Sequence, residues 1–254
     1  MAILVFDSGI GGLGVVAALN DLAPGLPLTY LADNGFFPYG ERPDEILLPH
    51  ILNVIGKAIA REQPEAVVIA CNTASTIALP ALREAFPLPF IGCVPPIKTA
   101  AATSLTRSIG VLATAATVRR PYLNSLITRF APDCRVLALG TPALALLAEQ
   151  KFRGAQVDVS DAVSPLFTQS GGESIDAIAL GCTHYTFLLP EFMAMRHDIS
   201  WHDPALPVAR QTLKIIESLS LSEAPRTARC TGETIAPHLL APFALAPMAP
   251  LKTE

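Results

Sequence analysis

Ala66-Val-Val-Ile-Ala70 runs straight into Cys71-Asn72-Thr73-Ala74-Ser75, and far along the chain Ala177-Ile-Ala-Leu-Gly181 runs into Cys182-Thr183-His184-Tyr185. An unbroken apolar run of four or five β-prone residues reads as an interior strand of a parallel sheet. The small hydrogen-bonding residues that follow mark the strand's carboxyl end, where such sheets bind ligands. Both cysteines therefore stand where an α/β protein does its chemistry. Further apolar runs at 2–6, 28–32, 109–113 and 135–139, with weaker ones at 90–93 and 199–201, read as strands. They alternate with helix-patterned segments at 11–22, 44–62, 75–85, 117–130, 142–150, 160–169 and 208–219. This alternation predicts an α/β fold built on mostly parallel sheets.

A faint duplication runs through the pattern. The run 2–6 ends in Asp7-Ser8-Gly9 and is followed by 66–70 and Cys71; the run 109–113 ends in Thr114 and is followed by 177–181 and Cys182. The spacing predicts two similar α/β domains facing each other across a cleft, with a boundary at Pro95-Pro96. The first comprises residues 1–95 plus 208–254, the second 96–207. One sheet with two ordinary cysteines is the alternative. Four Ala-Pro pairs within 236–250 oppose a regular helix and predict an extended tail packed on the surface.

At 254 residues, with 51% hydrophobic and 16% charged side chains, the chain can bury a sizeable core and is not a disordered one. A net charge of −4, with no basic run, argues against nucleic acid or an anionic membrane as partner. The apolar runs are too short to span a bilayer. Met1-Ala-Ile-Leu-Val-Phe6 is closed by Asp7 and has no positive segment before it, so it reads as a first strand and not a signal peptide. Five cysteines, Cys71, Cys93, Cys134, Cys182 and Cys230, are odd in number and scattered, which predicts reduced thiols and a cytoplasmic protein. No CxxC pair and no Cys/His cluster suggests a metal site.

A lone cysteine in an apolar run is usually a small hydrophobe, and Cys93, Cys134 and Cys230 fit that reading. Cys71 and Cys182 do not, because a helix is expected to start after each. Backbone N–H groups and the helix dipole at such a position favour a thiolate. Two such thiols could serve as base and acid on opposite faces of one substrate carbon. Asp7-Ser8-Gly9-Ile-Gly11-Gly12 lacks the dinucleotide-binding spacing, and Asp7 would repel a pyrophosphate. Its carboxylate suits an ammonium group or the tuning of a thiol. Phe37-Pro38-Tyr39-Gly40 reads as a loop whose N–H groups could hold a carboxylate. His184, two residues from Cys182, is close enough to assist proton transfer. His50, His197, His202 and His238 have no such context, and Glu149 reads as a solvated acid at a helix end. None of the five lysines marks a Schiff base, so pyridoxal phosphate is not indicated.

Taken together, Phe6-Asp-Ser-Gly-Ile-Gly-Gly-Leu13, Phe37-Pro-Tyr-Gly40, Ala70-Cys-Asn-Thr-Ala-Ser75, Gly110-Val-Leu-Ala-Thr114 and Leu180-Gly-Cys-Thr-His-Tyr185 resemble the glutamate racemases, in order, from residue 3 to about 232. The resemblance implies a cofactor-independent isomerase of two α/β domains, a homodimer, that supplies D-glutamate for peptidoglycan synthesis. It implies that Cys71 and Cys182 are the proton carriers, that Asp7 and His184 assist them, and that Glu149 is a further acid near the second. It also implies that Asp7, Ser8, Pro38, Tyr39, Gly40, Asn72, Thr73, Thr183 and His184 bind substrate. Asp33-Asn34-Gly35-Phe36 and Thr186 depart from the usual pattern, and the chain is expected to lack the N-terminal extension of some relatives. Aspartate racemase, hydantoin racemase and arylmalonate decarboxylase are neighbouring alternatives. Retention of both thiols favours racemisation over decarboxylation, and over a non-catalytic binding protein.

Overall fold

The computed structural model describes residues 2–217, 219 and 224–251. In chain order its strands are β1 (Ile3–Asp7), β2 (Leu28–Ala32), β3 (Ala66–Ile69), β4 (Phe90–Gly92), β5 (Ser108–Ala113), β6 (Arg135–Gly140), β7 (Ala177–Gly181), β8 (Ser200–His202), β9 (Thr227–Cys230) and β10 (Ala249–Pro250). The α-helices are α1 (Leu13–Leu22), α2 (Asp44–Glu62), α3 (Asn72–Ala85), α4 (Ile97–Thr103), α5 (Ala115–Arg119), α6 (Pro121–Phe130), α7 (Ala143–Phe152), α8 (Ser160–Thr168), α9 (Leu189–Met195), α10 (Ala205–Ile216) and α11 (Pro237–Leu240). The chain divides into two compact units, one running to Cys93 and resuming at Ala205, the other Val94–Pro204.

In the first unit every residue of β1, β2 and β3 is buried. Strands covered on both faces need no polar alternation, which is why they are so plainly apolar in sequence. The sheet order is β10-β9-β2-β1-β3-β4, and all its pairs are parallel. Side chains alternate across a strand. Leu4 and Phe6 pack with Leu47, Ile51 and Ile55 of α2 and Leu82 of α3; Ile3 and Val5 point to the opposite face, and α1 packs against α10.

The second unit has the order β6-β5-β7-β8, again all parallel. Ile109 and Val111 of β5 form a core with Ile97 and Ala100 of α4 and with Leu123 and Leu126 of α6. Phe192 of α9 stacks on Trp201 of β8, with ring centroids 4.9 Å apart. The order β2-β1-β3-β4 in the first sheet is thus repeated as β6-β5-β7-β8, so the faint sequence duplication is a duplication of topology. The α/β class with mostly parallel sheets is borne out.

Several element expectations need correction. The segment 117–130 is two helices, α5 and α6: Pro121 cannot continue a helix from α5 and instead opens α6. The tail 236–250 is not simply extended; α11 and a 3-10 turn, Ala241–Phe243, precede β10, which pairs with β9. Strand β9 went unread because its four residues include Arg229, whose guanidinium pairs with Glu62 at 2.9 Å instead of interrupting a core. Helices α4 and α9, seven residues each, are additional to the expected helices and too short to show a clear period in sequence. The expected helix 208–219 begins earlier, at Ala205, and its residue 218 lies outside the described residues.

Candidate active site

Strands β1 and β3 are neighbours in register, Phe6 opposite Ile69. Two residues beyond that pair stand Ser8 and Cys71, whose Oγ and Sγ lie 3.7 Å apart. Asp7 is buried, and its Oδ1 accepts from the Gly9 N–H at 2.8 Å, which shapes the turn into α1. Gly12 is required there: a Cβ would meet Asp7 Cβ at 2.9 Å and Ala70 Cβ at 3.1 Å. Cys71 caps α3, its Sγ accepting from the Ala74 N–H at 3.5 Å, so the partial positive charge of the helix N-terminus faces the sulfur. The thiol is 5% exposed. Asn72 Oδ1 accepts from Cys93 Sγ at 2.6 Å, while Asn72 Nδ2 is buried with no hydrogen-bond partner. Thr73 is buried beside it.

The loop after β2 leads to the same end of the sheet. Pro38 and Gly40 are half-buried, but Tyr39 is only 2% exposed and its hydroxyl donates to Asp33. Burial pushes that hydroxyl well above its ordinary pKa, and the negative charges of Asp33, Cys71 and Asp7 push it the same way. Tyr39 therefore stays neutral with its hydroxyl occupied. What the turn can offer a ligand is backbone, because the leading N–H groups of the 3-10 turn Tyr39–Glu41 have no partner within it.

In the second unit Ala113 pairs with Gly181, so the next residues, Thr114 and Cys182, are placed as Ser8 and Cys71 are in the first. Gly181 is required by close approach, since a Cβ there would meet Ala113 Cβ at 2.8 Å. Cys182 is 7% exposed. Contrary to expectation no α-helix starts behind it; the 3-10 turn Thr183–Leu188 intervenes before α9, whose first turn holds Pro190. Thr183 and His184 are buried in that turn. His184 Nε2 lies 3.3 Å from Glu149 Oε1, and the other oxygen of Glu149 is ion-paired with Arg153 one helical turn on. Glu149 is thus an orienting partner for the histidine, not a solvated acid. Tyr185 is buried and donates to Thr141 O at 3.0 Å; burial raises its pKa well above the ordinary value, and Cys182 adds to this.

Each unit therefore presents a thiol just past its third strand, a hydroxyl residue in register with it and a buried neutral tyrosine; the first adds Asp7 at the end of the neighbouring strand, the second His184 two residues on. Such an arrangement can carry protons. The family model for Asp/Glu/hydantoin racemase matches residues 14–198. The chain belongs to the Asp/Glu/hydantoin racemase family. A glutamate racemase of Granulibacter bethesdensis is 50% identical to this racemase-family chain over 92% of it and 86% of the relative. One from Brucella anthropi is 43% identical over 85% and 79% of the two chains. The structure of Escherichia coli glutamate racemase with L-glutamate and the activator UDP-MurNAc-Ala is 34% identical, with a TM-score of 0.88 over 98% of this chain and 97% of that one. As a member of this family the chain is an isomerase.

Sequence reading missed Asp33, His50, Thr114 and Thr117 in this racemase-family chain, and gave Cys93 no role beyond packing. His50 Nε2 lies 2.6 Å from Asp33, and Thr114 Oγ1 donates to Thr117 Oγ1 at 3.0 Å. Only the strand-end position of Thr114 was a usable signal. Among the described residues no group of three or more His, Cys, Asp or Glu side chains is placed to hold a metal, and no helix is long and apolar enough to cross a membrane.

Proposed function

We propose that this chain interconverts L- and D-glutamate with Cys71 and Cys182 as its two proton carriers, without a cofactor. On this reading it is a cytoplasmic homodimer that supplies D-glutamate for peptidoglycan synthesis, and its two units are the two catalytic domains. The observation that carries the reading is the equivalence of the two thiols, each just past the third strand of its own sheet and in register with a hydroxyl residue just past the first, Ser8 for Cys71 and Thr114 for Cys182.

The α-hydrogen of an amino acid is a very weak acid, so a base must be held against it while the developing carbanion is stabilised. One thiolate takes the α-proton and becomes a thiol, leaving the electron pair on the α-carbon. The other thiol gives its proton to the opposite face and becomes a thiolate. Atoms and charge balance, the centre is inverted, and the thiols have exchanged roles. Asp7 assists at Cys71; His184, held by Glu149, assists at Cys182. Substrate carboxylate and ammonium groups are met by Asp7, Ser8, the backbone of Pro38-Tyr39-Gly40, the spare Asn72 Nδ2, Thr73 and Thr183, with the Thr117 hydroxyl, oriented by Thr114, as a further donor.

The test is chiral chromatography of L- and D-glutamate incubated with purified protein in D2O, with chelator present and no pyridoxal phosphate. Both enantiomers should converge on a racemic mixture carrying deuterium at the α-carbon. Inversion that appears only after pyridoxal phosphate or a divalent metal is added would sink the mechanism, and no inversion would sink the function.

A further inference from the structure

Asp33 is fully buried at the end of β2, where an ionised carboxylate is tolerable only if donors replace its water. Three segments supply them. Tyr39 donates its hydroxyl from the loop, Thr231 its Oγ1 at 2.5 Å from beyond β9, and His50 its Nε2 at 2.6 Å from α2. An ionised carboxylate only accepts, so Nε2 carries the proton. The imidazole does more than donate. Phe36 stacks on it with ring centroids 4.0 Å apart and planes 22° apart. The Arg42 guanidinium lies 4.6 Å from the Phe36 centroid, and its Nε donates to the Phe36 carbonyl at 3.3 Å. Asp33 and Phe36 are thus both held by one side chain of a different element, and Arg42 is held through Phe36. His50 is itself 26% exposed.

We infer that His50 is a positioning residue for the substrate loop: by holding Asp33 and Phe36 it fixes Tyr39, and through Tyr39 the backbone N–H groups of Tyr39 and Gly40. The inference rests on the reading of that turn as a substrate-binding element. Tyr39 transmits the constraint because its ring packs against Phe6, with centroids 6.4 Å apart, and so ties the loop to the strand that ends in Asp7. A loop held less firmly binds substrate more weakly while the thiols and their chemistry are untouched, so the effect falls on KM.

The experiment compares His50→Leu, which removes both donor and ring, with His50→Gln, which keeps a donor near the position of Nε2. His50→Leu should raise KM for both enantiomers of glutamate about tenfold with kcat within about threefold of wild type, and His50→Gln should recover most of the loss. Amide hydrogen exchange in peptides covering 34–42 should quicken in His50→Leu alone. Should the leucine variant fail to fold, His50→Phe, which keeps the stack and drops the donor, gives the same comparison. An active wild type whose His50→Leu variant keeps its KM, or whose Leu and Gln variants are equally impaired, overturns this inference alone. A wild type that does not racemise glutamate overturns the reading of the site, and this inference with it.

Discussion

Cys71 and Cys182 stand at equivalent strand ends yet have different backbones behind them. Cys71 caps the 14-residue helix α3, while Cys182 precedes a 3-10 turn and makes no side-chain cap bond. A helix N-terminus stands behind the first thiol, while the turn after the second carries His184, which is paired with Glu149 of α7. On the proposed function their division of labour is directional. By the resemblance, Cys71 takes the proton of D-glutamate and Cys182 that of L-glutamate. Removing either thiol should cost racemisation about a thousandfold or more. The surviving thiolate can still remove an α-proton from one enantiomer, and a leaving group on the β-carbon then departs with the electron pair. Cys71→Ala should therefore eliminate from the L form of a β-chloroglutamate, and Cys182→Ala from the D form. Release of chloride from each enantiomer by each variant is the measurement. Activity of both variants on the same enantiomer would show the faces to be misassigned.

Asp176, just before β7, shows how one side chain organises the approach to an element. Its carboxylate accepts from Ser104 Oγ at 2.5 Å, Leu105 N at 2.7 Å and Thr106 N at 2.8 Å, and so holds the connection from α4 into β5. Partial burial by itself raises its pKa, but the hydrogen bonds from Ser104, Thr106 and Leu105 outweigh it and hold the group below its ordinary value. A folded-state value below the unfolded one means the contribution is complete above about pH 4 and fades as pH falls through the folded value. Asp176→Ala should cost about 1–3 kcal/mol at pH 7, because three donors lose their acceptor. The gap to wild type should narrow in urea titrations run below about pH 4. A gap that stays constant with pH would mean the carboxylate's charge contributes nothing.

Each unit has a core of its own: Ile51 belongs to the one between α2, α3 and the first sheet, and Ile109 to the one between α4, α6 and the second. Separate cores favour unfolding in more than one step. Ile51→Ala and Ile109→Ala should each cost about 2–5 kcal/mol, the usual range for an emptied core position. In scanning calorimetry the two substitutions should lower different parts of the transition. One transition displaced equally and without change of shape by both would show that the chain unfolds as a single cooperative body. The repeated strand order gives this arrangement a simple origin in the sequence: two βαβ patterns, each ending in a cysteine, build two sheets with the same neighbours.

The sequence by itself determined the fold class, the main strands and the two thiols, because a strand buried on both faces is a local apolar run and its carboxyl end is marked by the residues that follow at once. The strand-end placement of Asp7, Ser8, Asn72, Thr73, Thr183 and His184 was legible for the same reason, since each adjoins such a run; the roles proposed for them came from the resemblance. Tertiary structure alone decided what depends on partners distant in the chain. Strand β9 exists because β2 offers it an edge, not because Thr227–Cys230 is strongly strand-forming. Glu149 meets His184 across 35 residues, and Asp33 collects donors from His50 and Thr231 across 17 and 198. A polar side chain carries no local record of the partner it will meet; only folding, which strips away its water, makes the choice of partner.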